Sequence, residues 1–300
     1  MILVAGGTGH LGTELIPLLV RQGLRVRVLT RDPARARQFL GEAAELAHGD
    51  VSDLHALEDA MTGVDAVVSA VTGFGPGAAG PRLVDHRGNV NLIRAAQAAK
   101  VGHFVLLSMH GAAADHPMEL LRMKHRAEEA LRASGLLWTI LRPTVFMELW
   151  AGIVGDPIIK TGKTTVFGRG DNPINLVSSR DLARFTELAL QDPRLRCQAI
   201  DIGGPENVTL NQVVRAVETA SERKAAVRHV PVPLMRLSSL LMRPWKPDLA
   251  AMIGAGVVMD TTDMTFDAAE LRRRYPGIAL THMDDVVRRK FGARQQTADR

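Results

Sequence analysis

The chain has 300 residues, of which 46% are hydrophobic and 23% charged, with a formal net charge of +5. This length allows one large domain or a domain with an appendage, and the single cysteine, Cys197, excludes an internal disulfide framework. No apolar run reaches the roughly 18 residues of a membrane-spanning helix, so the sequence excludes a transmembrane segment.

The first segment predicts a dinucleotide-binding turn. Residues 2–5 form a short apolar run, which is the pattern of a buried parallel strand. Gly6, Gly9 and Gly12 follow at G-x-x-G-x-x-G spacing, and an apolar segment with helical spacing begins at once. In such a turn the glycines allow a sharp bend, close approach of the backbone to a pyrophosphate, and tight helix packing, while the helix N-terminus attracts the anion. The predicted cofactor-binding residues here are Gly6, Thr8, Gly9, His10, Leu11 and Gly12.

The segments that follow alternate between strand and helix patterns. Further strands are predicted at 24–29, 46–47, 65–71, 103–108 and 138–142. Helices are predicted at 52–61, 83–100 and 118–134, with a glycine-rich loop over 72–81. This alternation predicts an α/β fold, a doubly wound parallel (Rossmann) sheet with helices on both faces.

From Pro143 onward the alternation becomes irregular. Strand patterns are predicted at 174–177 and 199–202, and a helix is predicted to start at Ser179. After residue 204 the pattern changes to a smaller, mostly helical region. We therefore expect an NAD(P)-binding domain over 1–204, with residues around 144–172 contributing to a substrate pocket, and a small C-terminal substrate or lid region over 205–300.

The end of the second predicted strand bears on cofactor choice. NAD-binding versions of this fold have an acidic residue at this point, whereas this chain has Thr30 and Arg31. Arg31 can pair bidentately with a 2′-phosphate, while Asp32 could instead take the ribose hydroxyls or start a turn. We expect NADP(H) to be preferred, with NAD(H) as the alternative, and Asp50 and Val51 to lie beside the adenine.

Together these motifs resemble those of the atypical short-chain dehydrogenase/reductases, in the NmrA-like NAD(P)-binding family. The resemblance covers about residues 1–215, and its marks are Gly6-Gly-Thr-Gly-His-Leu-Gly12, Leu29-Thr-Arg-Asp-Pro33, His48-Gly-Asp50, Arg87-Gly-Asn-Val-Asn91, the segment 134–143 and Gly203-Gly-Pro205. It implies a doubly wound NAD(P)-binding domain with a small substrate lobe. It implies no particular substrate, because the fold hosts reductases, epimerases and non-catalytic redox sensors.

The chain departs from this family at the catalytic tyrosine. The usual unit is a Ser or Thr after the fifth strand, then Tyr-x-x-x-Lys on the next helix. Ser108 and Lys124 match its first and last positions, but the tyrosine position is Leu120, and the only tyrosine, Tyr275, lies outside the motif. The resemblance implies that Lys124 binds the nicotinamide ribose, with a solvated helix lysine as the alternative. Ser108 either contacts a substrate oxygen or caps a loop.

Further site residues follow from the same resemblance. Pro143 is expected to wall the nicotinamide, and Thr144, Phe146 and Met147 to line the adjacent pocket, with ordinary packing as the alternative. His110 follows the fifth strand, at the edge where open α/β sheets bind ligands, and is a candidate for the substrate pocket and for the missing acid. No His, Cys or carboxylate pair has metal-ligand spacing, so we expect no metal.

The missing tyrosine changes which hydride acceptors are accessible. Hydride addition to an aliphatic ketone creates an alkoxide, whose conjugate acid has a pKa of about 15.7, near that of water. Addition to a quinone or an enone creates a phenolate or enolate, and a phenol has a pKa of about 10. We therefore predict an NADPH-dependent oxidoreductase that transfers a hydride to a hydrophobic quinone, aromatic or enone substrate without the usual tyrosine.

Two alternatives stay open. The first is a non-catalytic NADP(H) sensor that regulates a partner protein, which an exposed apolar C-terminal face would favour. The second is NADPH-dependent oxygenation, in which a reduced hydroquinone product meets O₂ without flavin or metal. Five of the 12 methionines fall between Met235 and Met264, which favours a lid over a large hydrophobic substrate.

Composition also bears on partners and location. Aromatic residues make up only 4%, and no zinc-finger spacing accompanies the basic residues, so we expect a small hydrophobic substrate and no nucleic acid. Because the first predicted strand begins at residue 2, we expect no signal peptide and a cytoplasmic, soluble protein. The oligomeric state is left open.

Overall fold

The computed structural model describes residues 1–292, and its contacts divide the chain into two compact units. The first unit comprises Met1–Phe74, Ala78–Pro143 and Leu182–Ile202. The second comprises Gly75–Gly77, Thr144–Asp181 and the chain from Gly203 onward. The division therefore differs from a single boundary at 204, because residues 144–181 pack with the C-terminal segment. Residues 293–300 of the predicted C-terminal region lie outside the described residues.

The strands of the described residues are numbered along the chain. They are β1 (Ile2–Ala5), β2 (Val26–Thr30), β3 (Glu45–His48), β4 (Ala66–Ser69), β5 (His103–Leu107), β6 (Trp138–Pro143), β7 (Val145–Phe146), β8 (Lys163–Phe167), β9 (Ile174–Val177), β10 (Gln198–Ile202), β11 (Asn207–Val208) and β12 (Ala226–Val230).

The helices are α1 (His10–Arg21), α2 (Pro33–Leu40), α3 (Leu54–Ala60), α4 (Asn89–Ala98), α5 (Glu119–Arg132), α6 (Met147–Thr161), α7 (Ser179–Gln191), α8 (Leu210–Ser221), α9 (Val232–Met242), α10 (Pro247–Thr261), α11 (Ala269–Arg274) and α12 (Met283–Phe291). A π-helix, Arg82–Gly88, runs directly into α4, so the single helix predicted over 83–100 has two parts. Asp32, for which starting a turn was one of the roles considered, is the N-cap of α2.

The first unit is built on one parallel sheet with the strand order β10-β6-β5-β4-β1-β2-β3. The order reverses between β1 and β4, which is the topological switch point of a doubly wound sheet. All four residues of β1 are buried, as a parallel strand covered on both faces requires. The predicted α/β Rossmann fold is confirmed.

Helices α3, α4 and α5 contribute to one core on this sheet. Leu57, Leu92 and Leu131 lie in the same buried cluster as Leu3 and Phe104 of the strands. Alternate residues of β1, β4 and β5 reach this cluster, because successive side chains of a strand point to opposite faces. This packing holds the carboxyl ends of the strands, and the loops that follow them, in place.

The second unit has its own core. Two small sheets, β11-β9-β7 and β12-β8, accompany helices α6, α8 and α12. Trp150, Val154, Val213, Val287 and Phe291 belong to its buried cluster. No helix in the described part of the chain is long and apolar enough to cross a membrane.

Candidate functional site

The glycine turn between β1 and α1 is closely packed at Gly6 and Gly12 and open at Gly9. Gly6 has a φ of +88°, and a Cβ there would lie 2.6 Å from the Ala70 carbonyl oxygen. A Cβ on Gly12 would lie 2.2 Å from the Gly7 carbonyl oxygen, so the start of α1 packs directly against the turn. A Cβ on Gly9 would meet only the Gly6 carbonyl oxygen, at 3.4 Å. The turn therefore leaves space in front of Gly9.

The start of α1 fits a bound anion. Gly9 is the N-cap and provides no side-chain hydrogen bond, and the first helical bond runs from the Thr13 amide to the Gly9 carbonyl, at 3.1 Å. The first-turn amides of a helix have no acceptor inside the helix and carry partial positive charge. Thr8 and His10 are exposed beside them, whereas Leu11 is buried. This cradle fits the pyrophosphate of a dinucleotide.

Arg31 stands exposed where β2 ends. Its Nε lies 3.7 Å from a carboxylate oxygen of Asp50, and 77% of its side chain is exposed. Burial raises the pKa of Asp50, but hydrogen bonds from Ser52 and the Arg31 charge outweigh it and hold the pKa below its usual value. Asp32 accepts the Arg35 amide at 2.9 Å and so caps α2. The guanidinium is thus the charged group presented at this edge.

Lys124 is buried and bound on all sides by protein groups. Its ammonium donates to the carbonyls of Val71, at 3.0 Å, and Leu107, at 2.9 Å. It also lies 3.1 Å from a carboxylate oxygen of the fully buried Asp85, whose other oxygen accepts the Gly73 amide at 2.7 Å. The interpretation of Lys124 as a solvated helix lysine is therefore wrong. An ammonium has three protons to donate, and here two of them are donated to backbone carbonyls while Asp85 provides an ion pair.

Ser108 is also bound internally. Its hydroxyl donates to Glu128 of α5 at 2.5 Å, and the Glu128 carboxylate, fully buried, receives two hydrogen bonds from Arg142 of β6. Burial by itself raises the pKa of Glu128. Hydrogen bonds from Arg142 and Ser108, together with the charges of Arg142 and Arg132, outweigh burial and hold the pKa below its usual value. The hydroxyl proton of Ser108 is directed into this network, which corrects its expected orientation toward a substrate.

The tyrosine position has no polar group in this structure. Leu120 is a buried residue of α5, one turn before Lys124. Tyr275 follows α11 and belongs to the second unit, where it is also buried. No phenol therefore replaces the missing acid within the first unit.

A histidine–aspartate pair lies at the carboxyl edge of β5 and β10. The Nδ1 atom of His110 is 2.8 Å from a carboxylate oxygen of Asp201, and both side chains are about two-fifths exposed, at 41% and 42%. The His110 amide donates to the Pro143 carbonyl at 2.8 Å, which ties the loop after β5 to the end of β6. In contrast, His116 accepts the Met118 amide, and its pKa is lowered mainly by burial.

The three expected pocket residues of the second unit differ in exposure. Thr144 is buried and donates to Asn175 at 3.0 Å, and Met147 is 1% exposed within the core of this unit. The expectation that Met147 lines a pocket is therefore corrected, because its side chain fills the core. Phe146 is half-buried, and its role stays a prediction. Among residues 1–292 no cluster of His, Cys, Asp and Glu could hold a metal ion.

Sequence reasoning missed the buried partners of the matched residues. Asp85, Glu128 and Arg142 are charged residues on segments with helix or strand patterns, which usually indicates a solvated face. Two sequence features could have drawn attention to these partners. Glu128 lies one turn after Lys124 on the same helix, and Asp201 lies within a strand that is otherwise mostly apolar. Neither signal identifies the partner across the fold.

Comparison with known proteins assigns the family. The model of the family described as NAD(P)H-binding matches residues 6–193, which is more than half of the chain. An NAD(P)H azoreductase of Xenophilus azovorans is 30% identical over 251 residues, covering 84% of this chain and 84% of that protein. The photosystem II assembly factor Ycf39 of Synechocystis is 29% identical over 236 residues, covering 78% of this chain and 72% of that protein.

A solved structure agrees with the fold. The NADPH-dependent quinone oxidoreductase of Escherichia coli, in complex with NADPH, superimposes with a TM-score of 0.76 at 21% identity, covering 97% of this chain and 100% of that one. At this identity the likeness shows the fold. By its family match and its relatives, this chain belongs to the NAD(P)H-binding family and is an NAD(P)H-dependent oxidoreductase of the atypical short-chain dehydrogenase/reductase type.

Proposed function

We propose that this protein reduces hydrophobic conjugated acceptors, quinones above all and also enones and azo compounds, with NADPH as the reductant. The observation that carries the proposal is that none of the three positions matching the family's catalytic unit offers a proton to a substrate. Leu120 offers no proton, and Ser108 and Lys124 are bound within the protein. Acceptors whose reduced form is a stabilised anion need less help from an acid than ketones do. The names of the azoreductase relative and of the quinone oxidoreductase support the same class of acceptor.

The cofactor proposal assigns the pyrophosphate to the glycine turn and the 2′-phosphate to Arg31. Arg31 is held only by an exposed ion pair with Asp50 at 3.7 Å, and such pairs contribute about 0–1 kcal/mol. A 2′-phosphate offers a charge-assisted bidentate contact, worth about 1.5–3 kcal/mol per hydrogen bond. Arg31 therefore favours NADPH over NADH. When bound, NADPH supplies the hydride.

Lys124 acts in this proposal as a positioning residue. Its ammonium joins the carbonyl of Val71, after β4, to the carbonyl of Leu107, at the end of β5, and Asp85 neutralises its charge. These strand ends form the edge at which open α/β sheets bind ligands. Lys124 thus maintains the shape of the nicotinamide region. Pro143 is proposed to wall that region from the end of β6.

His110 is the proposed proton donor. Contact between Nδ1 and Asp201 orients the imidazole at this edge of the sheet, and histidine is the side chain that most often transfers protons in catalysis. For a quinone, the hydride is transferred to one carbonyl oxygen, which leaves a phenolate at the other oxygen. A proton from the His110 imidazole goes to that phenolate oxygen, and a hydroquinone is formed.

The acceptor class is tested by NADPH oxidation at the reduced-nicotinamide absorbance band. Naphthoquinones, cyclic enones and azo dyes are expected to oxidise NADPH, whereas simple aliphatic ketones are expected to do so at least about a hundredfold more slowly. Fast turnover of aliphatic ketones with none of quinones contradicts the proposal. Oxygen uptake during turnover separates simple reduction from the variant in which the hydroquinone product reacts with O₂.

The role of His110 is tested with a matched histidine. His110→Gln and Asp201→Asn are expected to lower kcat about a hundredfold, the lower end of a general acid's contribution. His55 of α3 also faces a carboxylate, that of Asp59 at 3.5 Å, so His55→Gln is the control and should leave the rate unchanged. An unchanged kcat in His110→Gln overturns the assignment.

A non-catalytic NADP(H) sensor is the second candidate. The internal bonding of Ser108 and Lys124 favours it, and so do an exposed apolar helix in the second unit and a relative named as an assembly factor. Tight NADPH binding with no oxidation by any acceptor of the panel would support the sensor and exclude the reductase.

A further inference from the structure

Helix α9 of the second unit exposes an apolar stripe. Of the large hydrophobic side chains that are exposed in the described part of the chain, five lie within one short segment. They are Leu234, Leu237, Leu240 and Leu241, which we name the leucine stripe, and Trp245 just after the helix. Leu240 is 67% exposed and Trp245 is 84% exposed. Scattered exposed leucines are ordinary, but a contiguous patch marks an interaction surface.

The stripe is a distinct face of the helix. At about 100° per residue, Leu234, Leu237 and Leu241 fall within a sector of about 60°, and Leu240 lies about 60° beyond Leu237. The opposite face carries Met235, the one buried residue of α9, and Ser239, which donates to the Ala250 carbonyl of α10 at 2.8 Å. Helix α9 therefore packs on α10 through one face and presents the leucine stripe on the other.

The charges around the stripe are mostly basic, and the first acidic residue after it is Asp248, next to Lys246. From Arg223 to Pro247 the chain has six Lys or Arg residues and no Asp or Glu. Arg236, Arg243 and Lys246 are exposed. On the helical projection both arginines lie next to Leu240, along one border of the stripe. The partner surface that complements this patch is apolar at its centre and anionic at its border.

We propose that α9 docks this protein on the surface of an anionic lipid bilayer. An apolar helical face bordered by Lys and Arg, with Trp at its end, is the pattern of a helix that lies in the plane of a membrane interface. The leucine stripe enters the boundary between headgroups and acyl chains, and Arg236, Arg243 and Lys246 reach the lipid phosphates. The docking does not depend on the proposed reduction.

Vesicle binding tests the proposal with a built-in probe. The chain has three tryptophans, and Trp245 is highly exposed, whereas Trp150 is buried and Trp138 half-buried. The full-length protein is mixed with vesicles of phosphatidylglycerol and phosphatidylcholine, or of phosphatidylcholine alone. We expect flotation with the anionic vesicles and a blue shift of tryptophan emission that is absent in Trp245→Phe.

Variants separate the contributions. Leu237→Ser with Leu241→Ser is expected to weaken vesicle binding at least tenfold, because each leucine loses burial in lipid. Arg236→Gln with Arg243→Gln is expected to weaken it about tenfold or more and to reduce its salt dependence, with Lys246 left in place. The control, Leu54→Ser with Leu137→Ser, removes two exposed leucines outside the patch and should bind like the native chain. Unchanged thermal unfolding verifies that all variants fold.

Other occupants of the stripe give different results. A dimer that Leu237→Ser with Leu241→Ser dissociates, seen by light scattering without any vesicle binding, shows that a second copy covers the stripe and overturns the proposal. A raised KM for quinones in that variant, again without vesicle binding, assigns the stripe to a substrate lid and also overturns it. Equal binding to both vesicle types contradicts the role of the anionic headgroups.

Discussion

In the sheet of the first unit, the carboxyl ends of β1 and β2 differ from those of β5 and β6 in how their polar groups are used. Where β1 and β2 end, the groups face outward: the first-turn amides of α1 lack a side-chain cap and Arg31 is exposed. Where β5 and β6 end, the matched polar groups face inward, with Lys124 on Asp85 and Ser108 on Glu128. The outward-facing exception there is His110 with Asp201.

This difference suggests how one fold can keep a cofactor and change its chemistry. The anion cradle depends on backbone amides and on glycines, so it persists while side chains elsewhere vary. The catalytic acid of the family is a single tyrosine side chain, and this chain has Leu120 at that position. Without the tyrosine, Ser108 and Lys124 can serve structural roles.

The largest expected effect is at Gly9. Its backbone is extended and the space in front of it is open, so Gly9→Val should fold normally while filling the proposed pyrophosphate position. We expect NADPH binding to fall by more than about a thousandfold, measured by calorimetry, because several charge-assisted hydrogen bonds are lost. Gly102 is the control, since a Cβ there also lies 3.4 Å from one backbone oxygen. Equal affinities in Gly9→Val and Gly102→Val would place the cofactor elsewhere.

Lys124 tests the ends of β5 and β6, where the polar groups face inward. Lys124→Met leaves the fully buried Asp85 without its cation, and we expect the free energy of unfolding to drop by about 3–5 kcal/mol. Adding Asp85→Asn should recover part of this loss, measured by chemical denaturation, while the exposed Lys100→Met should have little effect. If Lys124→Met keeps full stability and loses NADPH affinity instead, Lys124 binds the ribose directly, as the family resemblance implies.

His103 tests the amino end of β5, away from the proposed site. Burial, with a smaller contribution from the Arg196 charge, lowers the pKa of His103 to about 4. Between pH 6.5 and 4 the unfolded chain binds a proton at this residue and the folded chain does not, so stability falls as pH falls through this range. From this group we expect about 2 kcal/mol less stability at pH 5 than at pH 7. His103→Gln should remove that difference without changing reductase activity at pH 7.

Cofactor choice is tested at Arg31, where the expected effect is similar in size to that at His103. Arg31→Ala is expected to weaken NADPH binding about 10- to 100-fold, corresponding to about 1.5–3 kcal/mol, and to leave NADH binding nearly unchanged. Arg25→Ala removes the same charge just before β2, where no phosphate is proposed, and is the control. A parallel loss of NADPH and NADH affinity would indicate that Arg31 holds the fold of the turn and not the 2′-phosphate.

Local patterns account for what the sequence predicted well. The glycine turn and the strand–helix alternation each depend on neighbours in the chain, so Gly6 to Gly12 and the parallel sheet could be read directly. The packing of Asp85 with Lys124, and of Glu128 with Arg142, depends on contacts between distant segments. In the sequence these residues resemble solvent-exposed ones, because periodicity does not show which charged residue gains a buried partner.

The division into units has the same origin. Residues 144–181 follow the last predicted strand of the alternating region, so the sequence assigned them to the first domain. In the structure Trp150 and Val154 of α6 lie in one core with Val213 of α8 and Phe291 of α12, which are far away in the chain. Hydrophobic residues indicate that a helix is buried, but they do not indicate which core receives it.

The most direct test of the central claim is one anaerobic turnover. Purified protein, verified to contain no flavin, is loaded with one equivalent of NADPH and mixed with an excess of a 1,4-naphthoquinone. We predict that the reduced-nicotinamide absorbance disappears in one phase with one hydroquinone formed per NADPH, and that His110→Gln slows this phase. Stable absorbance in the native protein, with NADPH tightly bound, would contradict the reductase and identify the protein as a sensor.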